Sequence, residues 1–292
     1  MMRWATRAAP WLAADGIAAV LAVALVMPAA ARAAGTGQAP PGPAPTGHAL
    51  PVPSNNEGPL PRKSGADFMG ESTRAIQRDD TQNPAMLWVG DGEALWRAKP
   101  SADGKACADC HGSDAQDMRG VAAGYPRFQQ QAGRVVTLGQ RVNLCRERHQ
   151  QASPFKPESA ELLGIESYVA MQSRGMPMAP AQDEGTRDAA AAGRALFHQR
   201  LGQLNLSCAQ CHDSNWGRRL AGAPIPQGHA NAYPIYRLEW QSVGSLQRRL
   251  RNCLNGVRAD VPPFGHQDLV RLEAYLAVRA AGMPLESPGV RP

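Results

Sequence analysis

Two stretches of the chain, residues 159–172 and 268–279, place apolar residues every three to four positions with polar residues between them. This spacing predicts two helices that each bury one face in a protein core. Asp268 is suited to cap the N-terminus of the second helix. Alternation of apolar and polar residues, the pattern of a half-buried strand, is scarce elsewhere, so an all-α fold is predicted. The apolar positions are Leu162, Ile165, Val169, Leu269, Leu272 and Leu276.

A third apolar run, residues 17–27, follows a basic start and precedes an Ala-x-Ala sequence that ends at Ala33. The run is too short to span a membrane and is typical of a secretory signal peptide, here residues 1–33. A retained membrane anchor is the alternative. Residues 34–62 are rich in Pro, Gly and Ala, which indicates a flexible leader. We therefore expect a periplasmic protein whose mature form has no membrane span.

The composition of the 292 residues favours a folded but loop-rich chain. Hydrophobic residues make up 43% and charged residues 19%, which is compatible with a core of ordinary size. The chain has 29 Gly and 25 Pro, while aromatic residues amount to only 5%. A core with so few aromatic side chains is one that a large apolar cofactor would fill.

Two Cys-x-x-Cys-His motifs, residues 107–111 and 208–212, indicate what this cofactor is. The adjacent His favours covalent attachment of haem c over a thioredoxin-like site, and an oxidising compartment suits that attachment. The motifs also lie 101 residues apart, far beyond the spacing of a four-Cys zinc site. We predict two covalently bound haem c groups. The predicted thioether residues are Cys107, Cys110, Cys208 and Cys211, and the predicted axial iron ligands are His111 and His212.

The two haems also change how the charge of the chain is interpreted. A formal net charge of +6 is compatible with a nucleic-acid-binding protein. Removal of the signal peptide leaves 28 basic against 24 acidic side chains. The four propionates of two haems would then bring the holoprotein close to neutral. The sequence therefore disfavours binding to nucleic acid.

The two haem motifs belong to a longer repeat. Each follows a Gly-x-Ala-Leu-aromatic sequence and precedes an Arg-x-x-x-Cys, a Pro-Phe, a Tyr in a helical stretch and a Gly-Met-Pro. The second copy has seven additional residues between its motif and its lone Cys. We predict two tandem cytochrome c domains related by internal duplication, residues 63–182 and 183–292. The landmarks are 92–96 and 193–197, 141–145 and 249–253, 154–155 and 263–264, Tyr168 and Tyr275, and 175–177 and 282–284.

One cysteine in each unit, Cys145 or Cys253, is left for the sixth coordination position of its haem. Met176 and Met283 are the competing candidates, and a disulfide between the cysteines or two inert thiols are further alternatives. Matched positions argue against a disulfide, because each Cys is expected near its own haem. A soft thiolate is a good iron ligand, and an Arg one helical turn earlier could stabilise it. Axial thiolates are therefore favoured.

The paired haem motifs, each followed by Arg-x-x-x-Cys, resemble the SoxA family of dihaem cytochromes, and so does the stretch 82–89. The resemblance spans roughly residues 64–286. It implies a subunit that pairs with a small monohaem cytochrome, SoxX, as an L-cysteine S-thiosulfotransferase. Such an enzyme joins thiosulfate oxidatively to a cysteine of the sulfur carrier SoxYZ and passes electrons to a c-type cytochrome.

The resemblance also assigns roles to single residues. Cys253 matches the active-site cysteine of the family, which ligates the second haem and is found as a persulfide, and Arg249 matches the arginine that binds the anionic substrate. Cys145 would ligate the first haem, and Arg141 would be structural. Three further arginines are each expected on a solvated helix face: Arg248, Arg251 and Arg258.

Two other functions stay open at this point. A dihaem thiosulfate dehydrogenase, which couples two thiosulfates to tetrathionate, typically has a thiolate on one haem and a different ligand on the other. A non-catalytic electron-transfer protein would use Met176 and Met283 as ligands.

Overall fold

The computed structural model describes residues 61–292. The predicted signal peptide, and all but the last two residues of the predicted leader, lie outside the described residues. Helices dominate the described part of the chain. They are α1 (Glu71–Arg78), α2 (Met86–Arg97), α3 (Ala108–His111), α4 (Leu138–His149), α5 (Ala160–Met171), α6 (Glu184–His198), α7 (Cys208–His212), α8 (Leu246–Gly256) and α9 (Gln267–Arg279). Short 3-10 helices lie at Gly65–Phe68, Gln116–Met118, Ala122–Gly124 and Gln130–Ala132.

The all-α prediction is correct only in part, because short strands accompany the helices. The strands are β1 (Arg127–Gln129), β2 (Arg134–Val136), β3 (Arg219–Leu220), β4 (Ala223–Pro224), β5 (Ile235–Arg237), β6 (Ser242–Gly244) and β7 (Gly289–Arg291). β1 pairs with β2 and β3 with β4, while β5 lies between antiparallel β6 and parallel β7. Strands of two or three residues are too short for an alternating pattern to predict them. The β3–β4 hairpin lies where the second unit has its additional residues.

Two pairs of tightly packed helices, α2 with α5 and α6 with α9, form the framework. A Cβ on Gly92 would lie 2.0 Å from the carbonyl oxygen of Gly164, and one on Gly193 would lie 1.9 Å from the carbonyl oxygen of Arg271. Only glycine allows the backbones to approach so closely. The Gly-x-Ala-Leu-aromatic landmark thus begins where one helix touches its partner.

Aromatic rings connect each helix pair to the histidine of a haem motif. Trp96 on α2 lies 5.7 Å from the ring of Tyr168 and 5.8 Å from that of His111, measured between ring centroids. In the second half Phe197 takes the place of Trp96. Its centroid distances are 5.2 Å to Tyr275 and 6.4 Å to His212. Each motif is therefore seated against an aromatic pair.

The apolar stripes of α5 and α9 are buried, as their spacing predicts. The N-terminus of α9 differs from the prediction. His266 caps the helix, because its side chain accepts a hydrogen bond from the backbone N–H of Asp268 at 3.2 Å. Asp268 lies in the first turn instead, where its negative charge suits the helix dipole. Within residues 61–292 no helix is long and apolar enough to cross a membrane.

The two Gly-Met-Pro segments pair with each other and join the two halves. Pro177 and Pro284 form an isolated antiparallel bridge. The N–H of Met178 donates to the carbonyl of Met283 at 2.8 Å, and the N–H of Leu285 donates to that of Met176 at 2.8 Å. These segments therefore form the seam between the halves.

The first described residues lie against the C-terminal half of the chain. The buried side chain of Asn83 donates to the carbonyl of Pro288 at 3.1 Å and accepts from the backbone N–H of Ala85 at 3.0 Å. The backbone N–H of Val290, in β7, donates to the side chain of Gln77, in α1, at 3.0 Å. The two ends of the described chain are thus held together by hydrogen bonds.

Candidate haem and active site

Both haem motifs form short helices, α3 and α7, with the cysteines on their first turns. α7 begins at Cys208 and is capped by a reciprocal pair of hydrogen bonds between Ser207 and Gln210. In the first half, the indole N–H of Trp96 donates to the carbonyl of Gly112, which directly follows the motif, at 2.8 Å. Local capping in one unit and tertiary contact in the other therefore fix the same short helix.

Each lone cysteine faces the attachment cysteines of its own unit. Burial raises the pKa of Cys107, and the Cys145 thiol adds to the rise. Burial likewise raises the pKa of Cys208 to about 11, and the Cys253 thiol adds to it. All six cysteines are free thiols, so no disulfide joins Cys145 to Cys253. The structure thus places Cys145 near Cys107, and Cys253 near Cys208 and Cys211.

The ring of His212 is held by the loop that follows its motif. Its Nδ1 lies 2.7 Å from the carbonyl oxygen of Pro226, so Nδ1 carries the proton and Nε2 is left to bind a metal. Burial, more than the positive charges of Arg249 and Arg279, lowers the pKa of His212, which keeps the ring neutral. A Cβ on Gly228 (φ +74°) would lie 3.1 Å from the ring.

These residues fit haem c. The second half offers two thiols in the attachment motif, a neutral imidazole with a fixed tautomer, and a third thiol on a separate helix, α8. Thiols add to vinyl groups, and imidazole nitrogen and thiolate sulfur are both established ligands of haem iron. A hydrogen bond from Nδ1–H to a backbone carbonyl is the usual second partner of an iron-binding histidine.

The competing methionines lie in the seam between the halves. Met283 is 7% exposed and packs in an apolar cluster with Ala123, Met178 and Ala277. Met176 contacts Gly120 and belongs to the paired Gly-Met-Pro segment. The geometry therefore favours the cysteines over the methionines as neighbours of the haem motifs.

Arg249 lies on α8 among groups that the sequence analysis did not select. Its positive charge acts on Tyr233 and on Arg237. Burial raises the pKa of Tyr233 to about 12. Burial lowers the pKa of Arg237, and the charge of Arg249 lowers it further. The Cys253 thiol also acts on Tyr233. Tyr233, Arg237, Arg249 and Cys253 thus form one neighbourhood, which we call the sulfur site.

The sequence contains a repeated pattern that could have predicted part of the sulfur site. Tyr-Pro occurs once in each unit, at Tyr125 and Tyr233, and each tyrosine lies near the lone cysteine of its unit. In the first half, burial raises the pKa of Tyr125 and the nearby positive charge of Arg141 opposes the rise. A repeated Tyr-Pro is therefore a landmark that the comparison of the two units could have included.

The prediction of a solvated helix face is wrong for two of the three arginines. The guanidinium of Arg248 lies 4.2 Å from the ring centroid of Trp240, and that of Arg251 lies 4.4 Å from the ring of Phe264. Both arginines are half-buried because the β5–β6 turn and the loop between α8 and α9 supply aromatic faces for them. Arg258 is exposed, as predicted.

Comparison with known proteins agrees with this arrangement. The family model described as SoxA/TsdA, cytochrome c domain, matches residues 91–178 and 192–285. The chain is 34% identical over 229 residues to the L-cysteine S-thiosulfotransferase subunit SoxA of Rhodovulum sulfidophilum, covering 78% of this chain and 80% of that protein. The chain belongs to the SoxA family. The fold is therefore a helix-rich cytochrome c fold in two segments, and a cytochrome c domain carries haem c.

Other SoxA proteins support the same assignment. The SoxA subunit of Paracoccus pantotrophus is 32% identical, and the match covers 78% of each protein. The crystal structure of SoxXA from P. pantotrophus contains a chain that superposes with a TM-score of 0.76 at 32% identity, covering 79% of this chain and 87% of that one. The similarity thus extends over both halves.

Proposed function

We propose that this chain is the dihaem subunit of a periplasmic L-cysteine S-thiosulfotransferase that conjugates thiosulfate to a cysteine of a SoxYZ-like sulfur carrier. The observation that carries the proposal is the sulfur site, where Arg249 lies one helical turn before Cys253 on α8 and both residues act on the buried Tyr233. Membership of the SoxA family supports it. We further propose that the two halves arose by duplication and bind one haem c each.

Specific residues would hold each haem. Cys107 and Cys110, and in the second half Cys208 and Cys211, would form the thioethers. The axial ligands would be His111 and Cys145 for the first haem and His212 and Cys253 for the second. When bound, haem c supplies an iron centre that accepts one electron at a time, at a potential that an axial thiolate lowers.

The arginines of the sulfur site would bind and orient thiosulfate. Thiosulfate carries two negative charges and is tetrahedral, and two of its three oxygen atoms can accept the two parallel hydrogen bonds of one guanidinium. The positive charges of Arg249 and Arg237 repel each other, and among residues 61–292 the ion-pair partner of Arg237 is the half-exposed Glu239, at 2.8 Å. A dianion would neutralise this repulsion.

Cys253 would carry sulfur in the reaction. In the overall conversion, an S–S bond forms between the sulfane sulfur of thiosulfate and the thiol sulfur of the carrier cysteine. The thiol loses its proton to solvent, and two electrons leave for a c-type cytochrome. A sulfur bound to Cys253 as a persulfide is a strong nucleophile, and its position beside Arg249 would place it next to the bound anion.

The partners follow from the same proposal. A SoxX-like monohaem cytochrome would form a heterodimer with this chain, and the solved relative, SoxXA, supports this pairing. The SoxYZ-like carrier would present its cysteine to the sulfur site. The predicted signal peptide would deliver the chain to the periplasm, where haem c is attached.

The test replaces Cys253 by Ala in the complex with its monohaem partner. The variant should retain both covalent haems, because Cys253 is not an attachment residue, but should lose turnover with thiosulfate and the carrier. The matched control is Asn252→Ala, an exposed neighbour on α8, which should keep its activity. Mass measurement of the wild-type peptide should show about 32 Da of extra sulfur on Cys253.

Three results would contradict the proposal. Full turnover in the Cys253→Ala variant would remove this cysteine from the chemistry. Low-temperature EPR of the oxidised wild-type protein should show His/thiolate signals from both haems, whereas His/Met signals at both would favour an electron-transfer protein. Tetrathionate formation without the carrier would favour a thiosulfate dehydrogenase.

A further inference from the structure

A cavity of about 150 Å³ lies in the seam between the two halves, and Tyr233 of the sulfur site forms part of its wall. Its walls include two glutamates, Glu166 on α5 and Glu273 on α9. They occupy matching places in the two units. Glu166 lies two residues before Tyr168, which packs against Trp96, and Glu273 lies two residues before Tyr275, which packs against Phe197. Two equivalent carboxyl groups therefore face one shared cavity.

The hydrogen-bond partners of these carboxyl groups are neutral. Glu273 accepts from the side-chain amide of Gln247 at 2.7 Å. The carboxyl group of Glu166 lies against the backbone of Gly139, where an added Cβ would be 2.7 Å from a carboxyl oxygen. Among residues 61–292, no arginine or lysine lies close enough to shift the pKa of either carboxyl group. Neither group has a counter-ion there.

The remaining titratable and charged groups around the cavity do not supply one. Glu158 adds a third carboxyl group, which lies near Ser245 and has one buried oxygen without a hydrogen-bond partner. The positive charges of Arg248 and Arg251 act on the carboxyl group of Glu158 rather than on those of Glu166 and Glu273. The two other titratable groups that line the cavity, Tyr125 and Tyr233, are neutral phenols.

We propose that Glu166 and Glu273 form a proton-binding site in the seam, and that loss of its proton weakens the contact between the two haem-binding halves. Two ionised carboxylates that are half-buried in a partly enclosed cavity without a cation repel each other and are poorly solvated, so the pair retains a proton. The cavity is large enough for water molecules that could exchange this proton with solvent.

The electrostatics agree with this geometry. Burial, and then the charges of Glu273 and Glu158, raise the pKa of Glu166 to about 8. Burial raises the pKa of Glu273 to about 7, against a partial opposing effect of Gln247. A carboxyl pKa that folding raises gives stability that is complete below about pH 4.5, the unfolded value, and is lost as pH rises through the folded values.

The experiment measures thermal unfolding of the haem-loaded protein at a series of pH values. The unfolding equilibrium constant of the wild type should rise by up to about tenfold per pH unit for each retained proton. Its melting temperature should fall by about 5–10 °C between about pH 6 and pH 8. The double variant Glu166→Gln, Glu273→Gln keeps the accepting amide oxygens and should show a much flatter pH dependence.

The matched control is Glu161→Gln, which lies on the same helix but is exposed and should keep the wild-type pH dependence. A wild-type slope in the double variant would overturn the proposal. If the double variant does not fold, infrared spectra of wild-type protein with isotope-labelled glutamate decide the matter. A protonated glutamate band present at about pH 6 and lost by about pH 9 supports the site, and absence of the band overturns it.

Discussion

At the scale of single residues, the guanidinium of Arg249 is the group best placed to select an anionic substrate. Replacement of Arg249 by Gln should lower kcat/KM for thiosulfate by on the order of a hundredfold, about 3 kcal/mol, because a charge-assisted two-point contact is lost. Arg249→Lys keeps the charge but not the fork geometry, so its kcat/KM should lie between those of the wild type and the Arg249→Gln variant. Steady-state kinetics with the carrier measures both effects.

The control for this prediction is Arg258→Gln, which removes an equal charge from an exposed position beyond the C-terminus of α8. Its kcat/KM should stay within about threefold of the wild type, since exposed charges are largely screened by salt. Equal losses in the Arg249 and Arg258 variants would mean that general positive charge, rather than a specific contact, attracts the substrate.

At the scale of elements, the contact between helices within each half depends on one glycine. Gly92→Ala or Gly193→Ala should destabilise the protein by about 3 kcal/mol or more, because the added methyl group would overlap a backbone carbonyl that cannot move independently of its helix. Gly90→Ala, on the same helix as Gly92, meets no atom within 4 Å. It should instead stabilise the helix by up to about 1 kcal/mol. Chemical denaturation of the three variants measures the contrast.

The elements also show how far sequence reasoning reaches. The haem motifs could be found because covalent attachment requires fixed local spacing, and α5 and α9 because helical periodicity extends over three turns. Strands of three residues such as β5 have no comparable pattern. Arg237 was missed because its relation to Arg249 depends on how β5 and α8 pack, and the cavity of Glu166 and Glu273 because it forms only when the two halves meet.

At the scale of the whole molecule, the last strand connects distant parts of the chain. β7 pairs in parallel with β5, which carries Arg237, and packs against α1. Val290, at its centre, is fully buried, and Arg291 forms a largely buried ion pair with Glu286 at 2.9 Å. The C-terminus of the chain therefore supports one wall of the sulfur site.

A chain that ends at Pro288, and so lacks β7, should lose both stability and substrate affinity. Removal of the strand exposes β5 and deletes the partner of Gln77, so the melting temperature should fall by several degrees, roughly 2–4 °C per kcal/mol lost. Because β5 would then hold Arg237 less firmly, KM for thiosulfate should rise more than kcat falls.

A chain shortened only by Pro292 is the control and should behave as wild type. If the Pro288 form kept its KM while losing stability, β7 would serve the fold alone and the position of Arg237 would be fixed by β6 and Trp240.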